Sequence, residues 1–244
     1  MPETKIIKYV DTKYDNPIAV VGFPSVGLVG SILTSFVIRE LDMEIIAGIT
    51  SPDLPPYAII QEGMPYPPIR VCGGIRENKT EDCGDLVIVT SEVIPKPEHS
   101  YKFVAAMMNL FKEFDIKKVI ILEGIPQFEE NDPIMACGSS QLAKDKIDEL
   151  GLKRLDDGLV RGITGVMLYE GYYSGMDVLA MLCPANPAFP DPRAAASALG
   201  PLSKLIPGLS IDPEPLYKEA EDIENKIKEQ ANIDKSADIQ QLYG

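Results

Sequence analysis

The segment that most restricts the fold lies near the start of the chain. Ile18-Ala19-Val20-Val21 forms an unbroken apolar run that leads into Gly22-Phe23-Pro24-Ser25-Val26-Gly27-Leu28-Val29-Gly30. A strand with one wet face alternates polar and apolar residues, so a run without interruption suits a strand covered on both faces. The Gly, Pro and Ser residues then turn the chain. Leu28–Leu41 places Ile32, Phe36 and Val37 at helical spacing, which marks an amphipathic helix. The unit is strand, turn, helix.

Downstream, Lys5–Val10 before it and Met43–Ile49, Tyr57–Gln61, Ile69–Gly74, Asp85–Thr90, Lys118–Leu122 and Asp177–Leu182 after it read as strands. Asn78–Gly84 reads as a turn, and Ser51–Pro68 is rich in proline. Pro97–Phe114 carries Phe103, Met107, Leu110, Phe111 and Phe114 at steps of three and four, which predicts a helix. A second helix is expected over Ser140–Leu150, ended by Gly151. Asp191-Pro192 and Asp212-Pro213 each set an acidic cap before a first-turn proline. Apolar strands alternating with helices predict an α/β fold with a mainly parallel or mixed sheet flanked by helices. The expected organisation is an α/β body over residues 1–212, a C-terminal helix over 213–231 and a flexible tail over 232–244. In that helix Leu216, Ala220, Ile223 and Ile227 form a stripe suited to a seam on the body or between subunits. Asn232–Gln241 is polar and has no sustained period.

Composition narrows the classes of partner. The 244 residues carry a net charge of −14, so nucleic acid and anionic membrane surfaces repel the chain. Met1–Lys5 lacks an apolar signal region, and Ile32–Ile38 is too short to span a membrane. Cys72, Cys83, Cys137 and Cys183 form no C-x-x-C pair, and His99 is the one histidine. A Cys/His zinc site is not expected, and reduced thiols point to the cytoplasm.

Gly22–Gly30 invites comparison with phosphate loops. A P-loop needs Lys and then Ser/Thr after its second glycine, and Leu28 and Val29 stand there. The dinucleotide fingerprint fails at its first spacing. A tight turn with close backbone packing is the favoured reading, with a helix N-terminus that can still attract an anion. Ser25 lacks the G-x-S-x-G spacing of a nucleophile elbow. Glu92, Glu123 and Glu130 stand near predicted strand ends, where sites gather in open α/β sheets. Gly22, Ser25, Gly27, Glu92 and Glu123 are the candidate anion or pocket residues. No catalytic residue, metal ligand or cofactor is expected.

Leu242-Tyr243-Gly244 ends the sequence. A hydrophobic residue, then Tyr, then any residue at a free C-terminus matches the docking motif of proteasome activators, the HbYX motif. The body resembles the family of the second proteasome assembly chaperone. The resemblance is carried by Gly22–Gly30, Tyr57-Ala58, Gly63, Pro68-Ile69-Arg70 and Ser91-Glu92. It continues through Glu123-Gly124, Thr164-Gly165-Val166 and Pro190-Asp191-Pro192-Arg193-Ala194-Ala195. It implies a fold similar to purine nucleoside phosphorylases, homo-oligomers, and chaperoning of proteasome subunits. It implies that Leu242 and Tyr243 fill pockets of the proteasome α-ring and that the Gly244 carboxylate pairs with a lysine. The alternative is an ATP-grasp-like or nucleoside-processing enzyme on the same body.

Overall fold

The computed structural model describes residues 4–76, 84–129 and 131–226. Strand β1 covers Lys5–Lys8, and the apolar run becomes β2, Ile18–Gly22. Helix α1 is Val29–Glu40, followed by β3, Glu44–Thr50. A small hairpin, β4 (Ile59–Gln61) with β5 (Met64–Tyr66), precedes β6 (Ile69–Gly74) and β7 (Leu86–Ser91). Next come α2 (Ser100–Glu113), β8 (Lys118–Pro126), β9 (Met135–Gly138), α3 (Gln141–Glu149) and β10 (Lys153–Arg154). Helix α4 (Gly162–Ser174), β11 (Asp177–Ala185) and α5 (Pro192–Leu205) follow. Residues 214–226 are helical.

Nine strands form one sheet in the order β1-β3-β6-β7-β2-β8-β11-β9-β10. Its centre, β7-β2-β8-β11, is parallel. The β1-β3-β6-β7 flank and the β11–β9 pair are antiparallel. The sheet is thus mixed rather than mainly parallel. Parallel neighbours need long crossovers, whereas a short connection returns the chain antiparallel. Among the described residues no helix lies between β3, β6 and β7 to carry the chain back for a parallel return.

Strand β2 explains the apolar run. Ile18 and Val20 enter a core shared with Leu33 and Phe36 of α1, Ile147 of α3, Leu199 of α5 and Leu216. Ala19 and Val21 enter the opposite core, with Phe103, Met107 and Phe111 of α2 and Val166 and Met167 of α4. Every residue of β2 is buried. Asp191 and Asp212 accept from first-turn N–H groups as expected, Asp212 Oδ1 from the Glu214 N–H at 3.0 Å, and Ser140 caps a third helix. The Ala143 N–H donates to Ser140 Oγ at 2.9 Å, and the Ala194 N–H donates to Asp191 Oδ1 at 2.9 Å. Leu216 and Ala220 bury one side of the last helix, and Ile223 is half-buried. Ile227 lies outside the described residues, as does most of the Asn78–Gly84 turn. Among the described residues no helix is long and apolar enough to cross a membrane.

Candidate functional site

The parallel strands all end at one edge of the sheet, and the Gly22–Gly30 turn sits there. Gly27 (φ 61°) and Leu28 (φ 54°) are both left-handed, a conformation cheap for glycine and costly for leucine. The turn lets α1 lie against the strands at backbone distance. A Cβ on Gly22 would stand 2.2 Å from the Gly30 carbonyl oxygen, and one on Gly30 would stand 2.5 Å from that of Leu122. A Cβ on Gly124 would stand 1.9 Å from the Val26 carbonyl oxygen. Ser25 joins the same contact, because the Gly124 N–H donates to its Oγ at 2.8 Å. Behind the turn, the Thr34 and Thr90 hydroxyls meet at 2.9 Å in the core.

Asp191 packs against the turn at Gly27. Its N–H donates to the Gly27 carbonyl at 2.8 Å. Its carboxylate accepts from the Asn186 and Ala194 N–H groups at 2.9 Å each. A carboxylate fixed beside the turn opposes a second anion there.

Glu92 and Glu123 diverge. Glu92 extends to the α1 side, where it pairs with Arg70 and lines a cleft of about 330 Å³ with Pro24, Ser31, Ile32, Arg39 and Glu219. Arg70 is buried and also donates from Nη1 to Gln61 Oε1 at 3.3 Å. Glu123 extends to the α4 side and accepts from Thr164 Oγ1 at 2.7 Å. Burial pushes its carboxyl up from the usual range, and the Thr164 hydrogen bond partly opposes that shift. His99 lies in a short 3-10 turn before α2 rather than in the helix. Its Nε2 faces Asp53 Oδ1 at 3.4 Å, and Lys102 binds the other oxygen of that carboxylate. Glu130 and Leu242-Tyr243-Gly244 lie outside the described residues.

Gly22, Ser25 and Gly27 therefore lie in one packed turn, which meets Gly124 through Ser25 and Val26, while Glu92 and Glu123 point to opposite sides of the sheet. Arg70, Thr164 and Asp191 escaped the residue-by-residue reading of the sites. Their only signal was that they stand within the stretches that carried the family resemblance.

These features define an α/β protein with a doubly covered mixed sheet, whose strand-to-helix turn is closed by backbone contacts. The chain belongs to the PAC2 family, whose model matches residues 19–231. It is 30% identical over 227 residues to MJ0106, an uncharacterized protein of Methanocaldococcus jannaschii, covering 93% of this chain and 90% of the other. The crystal structure of Pyrococcus furiosus PbaA, an archaeal homolog of proteasome-assembly chaperone, superposes with a TM-score of 0.84 at 30% identity. That match covers 99% of this chain and 96% of PbaA. Pyrococcus furiosus PbaB, an archaeal proteasome activator, shares the fold with a TM-score of 0.80 at 22% identity, over 95% of this chain and 100% of PbaB.

Proposed function

We propose that the chain is a binding protein of the proteasome core particle, acting on its α subunits as an assembly chaperone or adaptor, and that it catalyses no reaction. The observation that carries this reading is the match to PbaA along nearly the whole chain, joined to membership of the PAC2 family. The divergence of Glu92 and Glu123 supports it, since acid/base work on one substrate needs two groups within reach of it.

Leu242 and Tyr243 dock into α-ring pockets, and the Gly244 carboxylate pairs with a cation there. The helix at 214–226 is tied to the body by Leu216 and Ala220. From Lys226 to Leu242 the chain can span at most about 55 Å. Burying Leu242 and Tyr243 contributes roughly 1.5–3 kcal/mol each, against roughly 1–2 kcal/mol per residue ordered. A single tail therefore binds weakly. A homo-oligomer presenting several tails raises avidity by about 100- to 10,000-fold.

The test is surface plasmon resonance against purified core particle at fixed salt. Tyr243→Ala removes most binding without changing fold or oligomer, Tyr243→Phe is milder, and residues appended after Gly244 are as damaging as the alanine. Unchanged binding in both the alanine and the extended forms overturns the docking. Saturable ATP–magnesium heat that vanishes in Gly27→Val would favour the enzyme instead.

A further inference from the structure

Scattered apolar side chains are normal on protein surfaces. Here the sheet edge that holds the Gly22–Gly30 turn displays a group of them. The chain leaves β3 and re-enters at β6 on this edge, since Ile49 pairs with Ile69 and Ile69 with Ser91. The β4–β5 hairpin with Tyr57, Ile60 and Met64 therefore lies there. Ile94 follows the end of β7 and Phe128 the end of β8. Leu159 precedes the start of α4, which Thr164 fixes against Glu123. All six are exposed, Phe128 to 88%. With strands about 4.8 Å apart, the ends of β6 through β8 span about 15 Å.

These side chains are held on organised turns. The N–H groups of Phe128 and Glu129 donate to Asp132 Oδ2 at 2.7 and 3.0 Å. Ser91 Oγ accepts from the Val93 N–H at 3.1 Å and donates to the Val93 carbonyl at 2.8 Å, which fixes the backbone before Ile94. The hairpin is anchored by Arg70 on Gln61 and by an edge-to-face contact of Tyr9 with Tyr66 at 5.5 Å. Fixing apolar side chains in place before a partner arrives lowers the entropic cost of association.

The same edge carries its own charge pattern. Glu62, Glu98, Glu129 and Asp132 stand against Lys96 and Arg161. Beside them is a cleft of about 400 Å³ walled by Pro52, Pro55, Pro56, Pro65, Pro67 and Pro68, together with Tyr57 and Tyr66. Proline offers a carbonyl but no N–H. The Pro55 and Pro68 carbonyls already accept from the Tyr57 and Glu92 N–H groups, so the wall presents mainly apolar and aromatic faces, which suit the stem and cation of a lysine or arginine side chain. A second copy of the same acidic edge is repelled by it.

We infer that this edge is a second docking surface, separate from the tail, for a folded protein that presents apolar side chains flanked by lysine or arginine. The inference rests on the proposed partner only in taking isolated α subunits of the proteasome as the probe. Wild type and an Ile60→Ser/Ile94→Ser/Phe128→Ser form, both with intact tails, are compared for binding, with sedimentation to follow oligomeric state. The triple substitution is expected to weaken binding at least tenfold with no change in oligomer. Glu62→Lys/Glu98→Lys is expected to weaken it at least threefold. No binding by wild type overturns the proposed function and this inference together. Equal binding by wild type and the triple form overturns the inference alone, as does a changed oligomer, which would assign the edge to self-association. Unchanged or tighter binding after charge reversal overturns the basic character of the partner.

Discussion

Two segments at one edge of the sheet are built from residues that interrupt regular structure, and they use them oppositely. Gly22–Gly30 uses glycine to bring backbones together: Gly22, Gly30 and Gly124 each leave no room for a Cβ. Residues 51–68 lay Pro67 on Gly48 and Leu54 on the core but leave Tyr57, Ile60 and Met64 exposed, and the one glycine there, Gly63 (φ 78°), has nothing within 4 Å of where its Cβ would be. The first segment is a structural joint and the second a display. Glycine in a loop therefore reports close approach only where another part of the chain packs against it.

The contrast breaks most visibly at Gly124. Gly124→Ala drives a methyl into the Val26 carbonyl and is expected to destabilise by about 3 kcal/mol or more. In a domain of this size that lowers the melting temperature by about 10 °C, read by calorimetry. Stability within 1 °C of wild type would mean that the joint is loose.

Ser25→Ala comes next. It leaves the Gly124 N–H without its acceptor, at a cost of about 1–2 kcal/mol. Urea titration should show a lower midpoint with an unchanged slope. No change would mean that water replaces the hydroxyl.

Glu123 gives a smaller effect with a definite sign. Its folded pKa is raised, so the folded protein holds a proton that the unfolded chain releases as pH rises through about 4.3. Ionisation therefore costs stability at neutral pH and nothing well below the ordinary carboxylate range. Glu123→Gln should melt higher than wild type at pH 7, with the difference shrinking as pH falls and gone well below about pH 4. A difference independent of pH would show that burial is not what shifts this carboxyl. On the display side, Ile60→Ser should leave stability within about 0.5 kcal/mol of wild type. A larger loss would make the hairpin part of the packed body.

Much of this architecture could be read from residue order. The run Ile18–Val21 announced the central strand because burial on both faces leaves no place for a polar residue. The residues of α2 recur at three and four because one side meets the core. Helix α4 was missed for the converse reason. Gly165, Tyr169, Gly171, Tyr172 and Tyr173 interrupt any one-sided stripe, and part of its apolar surface is exposed, Tyr172 and Tyr173 among it. Strand β9, Met135-Ala136-Cys137-Gly138, was hidden because it holds no β-branched or aromatic residue. The site was legible only in part. Motif spacing argued against a phosphate loop at Gly22–Gly30, but the Gly124–Ser25 contact joins positions 99 apart, and no local pattern encodes such a pair. The divergence of Glu92 and Glu123 likewise depends on which face each strand end presents.

The place of β2 in the sheet has a consequence for how the chain folds. Its residues are made early, yet its partners are β7 and β8, and β8 begins at Lys118. At about 5–20 residues per second of synthesis, roughly 5–20 seconds separate the appearance of Gly22 from that of Lys118. Until then the most apolar strand of the molecule has an unpaired edge, and the loop to be closed is long. The centre of this sheet therefore cannot close before β8 has been made, and a nascent chain stalled short of it exposes an apolar strand edge.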